Sequence, residues 1–195
     1  ASHMDAINTL VKKDSRVEGH NTDGVGIINT ILKNTSIVDK TVLLIGCGSS
    51  SQTVPYHLIK NKVKKIYVTD IIESRAKRVV RKYSHQGEDS GASIASIDEK
   101  ELSNIMGEVD ILINTTPCGM AGFEDKYPIE KTCLDNLKKE CLLVEAVYTP
   151  YETPLLRYAK ENGNRVCPGV NMLVEQAAES FSLAFGEKLT DEDKE

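Results

Sequence analysis

The sequence predicts an α/β fold, a doubly wound and mostly parallel sheet with helices on both faces. Short apolar runs alternate with segments whose apolar residues recur at helical spacing, and that alternation implies parallel strands joined by crossovers. One run, Val42-Leu43-Leu44-Ile45, leads directly into Gly46-Cys47-Gly48 and then a helical pattern. A strand, a glycine turn and a helix in that order form a cradle for a phosphate.

Taken in order, Ala1-Ser2-His3-Met4 reads as a vector scar. Residues 5–20 mix short apolar pairs with charge, and Asp14-Ser15 marks a hairpin or loop tip. Val25, Ile28, Ile31 and Leu32 share a helical face, with Thr22 or Asp23 placed to cap its start. Residues 42–45 form a strand buried on both faces. Residues 50–60 read as helix, although Pro55 conflicts with an interior position, so the helix either starts later or bends. Strands are expected at 65–69, 93–97, 109–114 and 142–147. Helices are expected at 73–83, 99–105, 153–162 and 171–185. The last carries Leu173, Val174, Ala177, Ala178, Phe181 and Phe185 along a core-facing side. Residues 187–195 form a charged tail expected to fray.

Composition narrows the function. The 195 residues hold 24 Lys and Arg against 29 Asp and Glu, a formal charge of −5, which argues against a nucleic-acid-binding surface. No apolar window is long enough to span a membrane. Cys47, Cys118, Cys133, Cys141 and Cys167 form no framework, which suits a reducing, cytoplasmic setting. The histidines, cysteines and acids show no metal-ligand spacing, and no histidine is placed to activate Cys118 as a nucleophile.

Three clusters carry chemistry. In the turn, Gly46 and Gly48 let backbone approach a pyrophosphate, and the small Ser51 stands where the dinucleotide fingerprint has its third glycine. Asp70 ends the next strand, 19 residues beyond Ser51 (70 − 51), where the fingerprint places an acid on the adenosine ribose. A carboxylate there repels a 2′-phosphate and favours NAD over NADP, although Arg75, Lys77 and Arg78 follow. Asp70 equally suits a turn at a strand end. Asn114-Thr115-Thr116-Pro117-Cys118-Gly119-Met120 leaves another strand at its carboxyl end, where it lines a ligand cleft or forms a plain turn.

The residues also resemble a known family. Ala6-Ile7-Asn8-Thr9-Leu10, Gly19-His20-Asn21-Thr22-Asp23-Gly24-Val25-Gly26, residues 46–51 and 114–120, Val147-Tyr148-Thr149-Pro150 with Thr153-Pro154-Leu155-Leu156, and Gly169 with Met172-Leu173-Val174-Glu175-Gln176-Ala177 are similar to shikimate dehydrogenases, in that family's order. The resemblance implies a Rossmann-like cofactor domain and reversible hydride transfer between NAD or NADP and 3-dehydroshikimate, giving shikimate. It implies that Asp23 is the aspartate of a catalytic Lys–Asp pair. Asn8, Asp23, Tyr148 and Gln176 would hold substrate hydroxyls. Gly46, Cys47, Gly48, Ser49, Ser50, Ser51, Asp70, Arg75, Thr115, Thr116, Ala146 and Gly169 would meet the dinucleotide.

Departures from the pattern sharpen this. Ser49, Ser50 and Gln52 replace a second small pair and an arginine, and Asp70-Ile71-Ile72 stands where many NADP users carry Asn-Arg-Thr. The missing arginine removes a bidentate partner for a 2′-phosphate, and an NAD-dependent quinate/shikimate dehydrogenase is an alternative. Glu145 replaces the usual aspartate. No lysine matches the family's catalytic one. The chain therefore reads as residues 5–20 of a junction to an absent amino-terminal substrate domain, followed by a dinucleotide-binding domain over 21–186. By itself it is expected to show little activity. A homodimer is compatible with the resemblance. A non-catalytic dinucleotide-sensing module is the rival, disfavoured because Asn8, Asp23 and Gln176 would then be unnecessary.

Overall fold

The computed structural model describes residues 6–194, and the scar expected at 1–4 lies outside the described residues. The chain opens with an antiparallel hairpin, β1 (Thr9–Lys13) and β2 (Arg16–His20), with Asp14 in the left-handed region at its tip, as the Asp14-Ser15 signal suggested. Helix α1 (Asp23–Leu32) follows. Next come β3 (Thr41–Ile45), α2 (Val54–Lys60), β4 (Lys65–Thr69), α3 (Glu73–Ser90) and β5 (Ser93–Ser96). The second half contains α4 (Leu102–Ile105), β6 (Ile111–Asn114), α5 (Lys131–Leu134), β7 (Leu142–Glu145), α6 (Pro154–Glu161), β8 (Arg165–Cys167) and α7 (Gly169–Phe185).

Strands β3 to β8 form one parallel sheet in the order β5-β4-β3-β6-β7-β8. The chain builds outward from β3 to β5 and then returns to place β6 on the other side of β3. That reversal puts a crevice at the carboxyl ends of β3 and β6, the position where open α/β sheets bind ligands. Alternate strand residues feed two cores. Val42, Leu44, Ile66, Val68, Ile111 and Ile113 pack with residues of α1, α2, α3 and α7. Leu43, Ile45, Leu112 and Leu143 pack with residues of α4, α5 and α6. With both faces covered, a central strand is apolar on both sides through its middle, which is why 42–45 carries no alternation.

Several boundaries differ from the sequence expectation, each for a local reason. Helix α2 begins at Val54, not 50, so Pro55 falls in its first turn, where a missing N–H costs nothing. Helix α3 continues past 83 to Ser90 and stops at left-handed Gly91; residues 84–90 are mostly polar because that stretch faces water on most sides. Residues 99–105 split into a 3-10 turn and the short α4. Strands β6 and β7 are shorter than the apolar runs that announced them. The sequence reading missed α5 and the three-residue edge strand β8, both too short to show periodicity. Thr22 occupies the N-cap position of α1 without a side-chain capping bond, because its hydroxyl is engaged elsewhere.

The tail does not fray as expected. Lys33 reaches Asp191 at 2.6 Å and the buried carboxylate of Glu175 at 2.8 Å, and Lys194 meets Glu175 at 3.1 Å. The four cysteines at 47, 133, 141 and 167 are buried free thiols, and Cys118 is half-buried and free. Among the described residues, no helix is long and apolar enough to cross a membrane.

Helices α1 and α7 pack at backbone contact. A Cβ on Gly26 would lie 2.8 Å from the Met172 carbonyl oxygen and 2.9 Å from the Gln176 amide nitrogen. Gly26→Ala gains helix propensity but must push the two helices apart. The overpacking is expected to win, lowering stability by about 1–3 kcal/mol. A urea unfolding curve with a lower midpoint and an unchanged slope checks this, and an unchanged midpoint refutes it.

Candidate functional site

The turn after β3 is built around two glycines with different duties. Gly46 has φ of +94°, and a Cβ there would sit 2.9 Å from the Thr115 hydroxyl oxygen. Its amide donates to the Thr69 carbonyl at 2.9 Å, tying the turn to the end of β4. A Cβ on Gly48 would meet nothing within 4 Å, so this glycine opens onto free space. The Ser51 hydroxyl, buried, donates back to the Gly48 carbonyl at 3.0 Å. Gln52 is turned inward, where its side-chain amide donates to the Cys47 carbonyl at 3.2 Å while its backbone carbonyl accepts from the Tyr83 hydroxyl.

Asp70 organises this turn from the neighbouring strand. One carboxylate oxygen accepts the Cys47 amide at 2.7 Å, and the other accepts the Ile72 amide at 2.8 Å. The turn-acid reading is thus what the structure shows for Asp70. The Cys47 thiol lies beneath the loop, and burial, then the negative charge of Asp70, push it up to about 12; Arg75 and Arg78 oppose that shift weakly. Only the backbone of Cys47 belongs to the turn's surface, and its N–H is already committed. The amides of Gly48, Ser49, Ser50 and Ser51 make no hydrogen bond to another described residue. Four unspent N–H groups beside open space suit a pyrophosphate. Because α2 begins only at Val54, these amides come from turn residues and not from a helix terminus.

At the neighbouring strand ends, Thr115 and Thr116 spend their hydroxyls internally. Thr115 donates to the Ile45 or Gly46 carbonyl, at 2.9 and 3.0 Å, and Thr116 to the Asn114 side chain at 2.7 Å. Both remain able to accept. Glu145, at the end of β7, is fully buried. It accepts from the Asn114 side-chain amide, the Ala146 and Val147 backbone amides and the Thr153 hydroxyl, at 2.9–3.1 Å. Burial outweighs these bonds and pushes its carboxyl up to about 7. Gly169 begins α7 directly against this segment, where a Cβ would come within 2.1 Å of the Val147 carbonyl oxygen.

A second polar group gathers around Asp23. The Asn8 side-chain amide donates to the Asp23 carboxylate at 2.7 Å, and the Asn8 carbonyl accepts the Thr22 amide at 3.0 Å. The Thr22 hydroxyl lies 3.1 Å from the Gln176 side-chain oxygen and 3.0 Å from the Ser180 hydroxyl. Burial raises the Asp23 carboxyl above its ordinary value, with hydrogen bonds from Asn8 and then Ser50 opposing it. The Thr53 hydroxyl, just past the glycine turn, donates to the Asn21 side-chain carbonyl at 3.1 Å and joins the two segments. Asn8, Asp23 and Gln176 come together here, whereas Tyr148 is exposed and its hydroxyl makes no hydrogen bond to a described residue.

Sequence reasoning missed Thr22 as a hub, together with Ser180, Glu145 as an acceptor and Thr153. Thr153 had a legible signal, since Thr-Pro before an apolar run marks a helix start, and it does cap α6. Ser180 had none, because its partners Thr9 and Thr22 lie more than 150 residues away in sequence. His57 lies in α2. It is half-buried against Tyr56, and its Nε2 finds no partner among the described residues.

The sheet order, the crevice and the glycine turn define a Rossmann-like α/β protein. The family model described as shikimate / quinate 5-dehydrogenase matches residues 28–127, and the chain belongs to that family. It is 32% identical over 186 residues to a shikimate dehydrogenase (NADP(+)) of Methanosphaera stadtmanae, and 36% identical over 191 residues to one of Shouchella clausii. These alignments cover 95% and 96% of this chain but 64% and 66% of the relatives, so the chain spans a little under two thirds of their length. Among solved structures, shikimate 5-dehydrogenase from Listeria monocytogenes, in complex with shikimate and NAD, superposes with a TM-score of 0.85 at 24% identity, covering 97% of this chain and 66% of that one. Quinate dehydrogenase from Corynebacterium glutamicum, in complex with NAD, superposes with a TM-score of 0.82 at 26% identity and the same coverage.

A folded carboxyl that binds its proton more tightly than the unfolded chain does costs stability as pH rises between the two values. For Glu145 that interval runs from the ordinary 4.5 to about 7. Wild type should lose, relative to Glu145→Gln, on the order of a few kcal/mol between the ends of this window. Thermal unfolding of both proteins from pH 4.5 to 8 checks this. Parallel pH profiles would refute it.

Proposed function

We propose that the chain supplies the cofactor-binding part of a shikimate dehydrogenase, with residues 21–186 as the dinucleotide-binding domain. The observation that carries this reading is the meeting of the glycine turn with the Asp23 segment, tied where the Thr53 hydroxyl donates to the Asn21 side-chain carbonyl at 3.1 Å, since hydride transfer needs cofactor and substrate side by side. Bound nicotinamide dinucleotide would supply hydride. Residues 46–51 and Asp70 would hold its pyrophosphate and adenosine ribose, with Arg75, Thr115, Thr116, Ala146 and Gly169 beside it. Asn8, Asp23, Tyr148 and Gln176 would hold the substrate's hydroxyls. Reducing the ketone of 3-dehydroshikimate requires a proton delivered to oxygen as hydride reaches carbon. Asp23 would orient the proton-bearing group and anchor a hydroxyl.

The Asp23 carboxyl accepts from Asn8, and no lysine among the described residues perturbs it. The lysine of the catalytic pair is therefore proposed to come from a further domain, and the 195-residue chain to turn over shikimate negligibly. Five free cysteines suit a cytoplasmic enzyme. The NAD-bound quinate dehydrogenase among the structural relatives supports quinate as the second reading of the substrate.

NAD is proposed over NADP although the sequence relatives carry NADP in their names. With both Asp70 oxygens bonded to backbone amides, the carboxylate is held in place at the end of β4 and cannot easily swing aside for a 2′-phosphate. Calorimetric titration of the 195-residue chain should show NAD binding about tenfold or more tighter than NADP, with Asp70→Asn narrowing the gap. Tighter NADP binding, or an unchanged preference in the variant, sinks the cofactor choice. Robust shikimate oxidation by the purified chain sinks the proposed origin of the lysine.

A further inference from the structure

Glu145 is a costly residue in its place, a buried carboxyl among neutral partners. Its carboxylate is fully buried, and the groups that bond to it are neutral. A buried charge of this kind is disfavoured unless it accomplishes something a neutral group cannot. What it offers is geometry, because when ionised it is acceptor-only and takes bonds from four donors.

One oxygen, Oε1, accepts from Asn114 Nδ2 at 2.9 Å, Ala146 N at 2.9 Å and Val147 N at 3.1 Å. The other, Oε2, accepts from Asn114 Nδ2 at 3.1 Å and Thr153 Oγ1 at 3.0 Å. Each donor controls a different part of the crevice. Asn114 in turn accepts from the Thr116 amide and hydroxyl, fixing the loop after β6. Thr153 lies under Gly119, where a Cβ would come within 2.7 Å of it, so the far end of that loop rests on the same support. Val147 presents its carbonyl to Gly169 at the start of α7. The loops that carry Thr115, Thr116, Ala146, Tyr148 and Gly169 thus converge on one carboxylate that lies behind them.

We propose that Glu145 is a positioning residue, a buried acceptor that locks the loops after β6 and β7 and the start of α7 into one arrangement and thereby sets the affinity of the crevice for the nicotinamide half of a dinucleotide. This rests on the cofactor reading above. A glutamine replaces it poorly, since half of its headgroup is a donor that would face the Asn114 amide or require Thr153 to turn its hydroxyl from donor to acceptor. An aspartate keeps the acceptor-only carboxylate.

The test compares wild type, Glu145→Gln and Glu145→Asp in the 195-residue chain by NAD calorimetry and by the backbone amide resonances of Ala146 and Val147. The glutamine variant should weaken NAD binding about tenfold or more and move both resonances, while the aspartate variant stays within about threefold of wild type. Glutamine binding within about twofold of wild type, with both resonances unmoved, overturns the proposal. If the glutamine variant does not fold, the aspartate variant decides. Wild-type-like resonances with retained affinity support the proposal, and wild-type-like resonances with a tenfold loss overturn it. If wild type takes no NAD, the cofactor reading falls, and the resonances alone judge Glu145: moved in glutamine and kept in aspartate, they uphold its positioning role, and unmoved they end it.

Discussion

A parallel sheet buried on both faces imposes one condition from which the rest follows: every strand must finish at the same edge. With helices above and below, the central strands are apolar through their middles, and polar chemistry is pushed to the strand ends and the loops beyond them. The order β5-β4-β3-β6-β7-β8 then decides which loops are neighbours. Ile45 lies opposite Asn114, and Asn114 opposite Glu145, so three segments far apart in sequence share one crevice.

That edge is expensive to build, because backbone amides leaving a strand lose their ladder partners while remaining partly out of water. Two carboxylates solve the problem in parallel. Asp70 collects the amides of Cys47 and Ile72 at the end of β4, and Glu145 collects those of Ala146 and Val147 at the end of β7. The difference lies in solvent access. Asp70 is partly exposed and can still face a ligand, whereas Glu145 is sealed behind its loops and can act only through them. Between the two, the amides of residues 48–51 are left unspent, as a site for an anionic group requires.

Much of this was legible in the chain itself. The glycine turn, Asp70 and the strand–helix alternation are local patterns, because a tight turn and a fully buried strand each demand particular residue types in a short window. Boundaries were less legible where a terminator or an apolar run misled. Polar residues 84–90 concealed the continuation of α3, and Pro55 signalled the true start of α2 only through its conflict with the apolar pattern. The Asp23 group was readable as separate residues carried by a resemblance, but its assembly was not. Asn8 sits on the hairpin, Thr22 and Asp23 at the start of α1, and Gln176 and Ser180 on α7, and only the close packing of α1 on α7 at Gly26 brings them together.

By itself the sequence determined the fold class, the position of the glycine turn and the acid that accompanies it, since these depend on backbone sterics and hydrophobic burial acting over a few residues. The tertiary structure alone decided which donors Glu145 gathers, that Cys47 turns its thiol inward, that the hydroxyls of Thr115 and Thr116 are spent within the protein, and that the charged tail docks on Lys33 and Glu175. Those outcomes hang on which donor meets which acceptor across distant segments. A hydrogen bond is fixed by angstroms in space, and sequence separation carries no record of them.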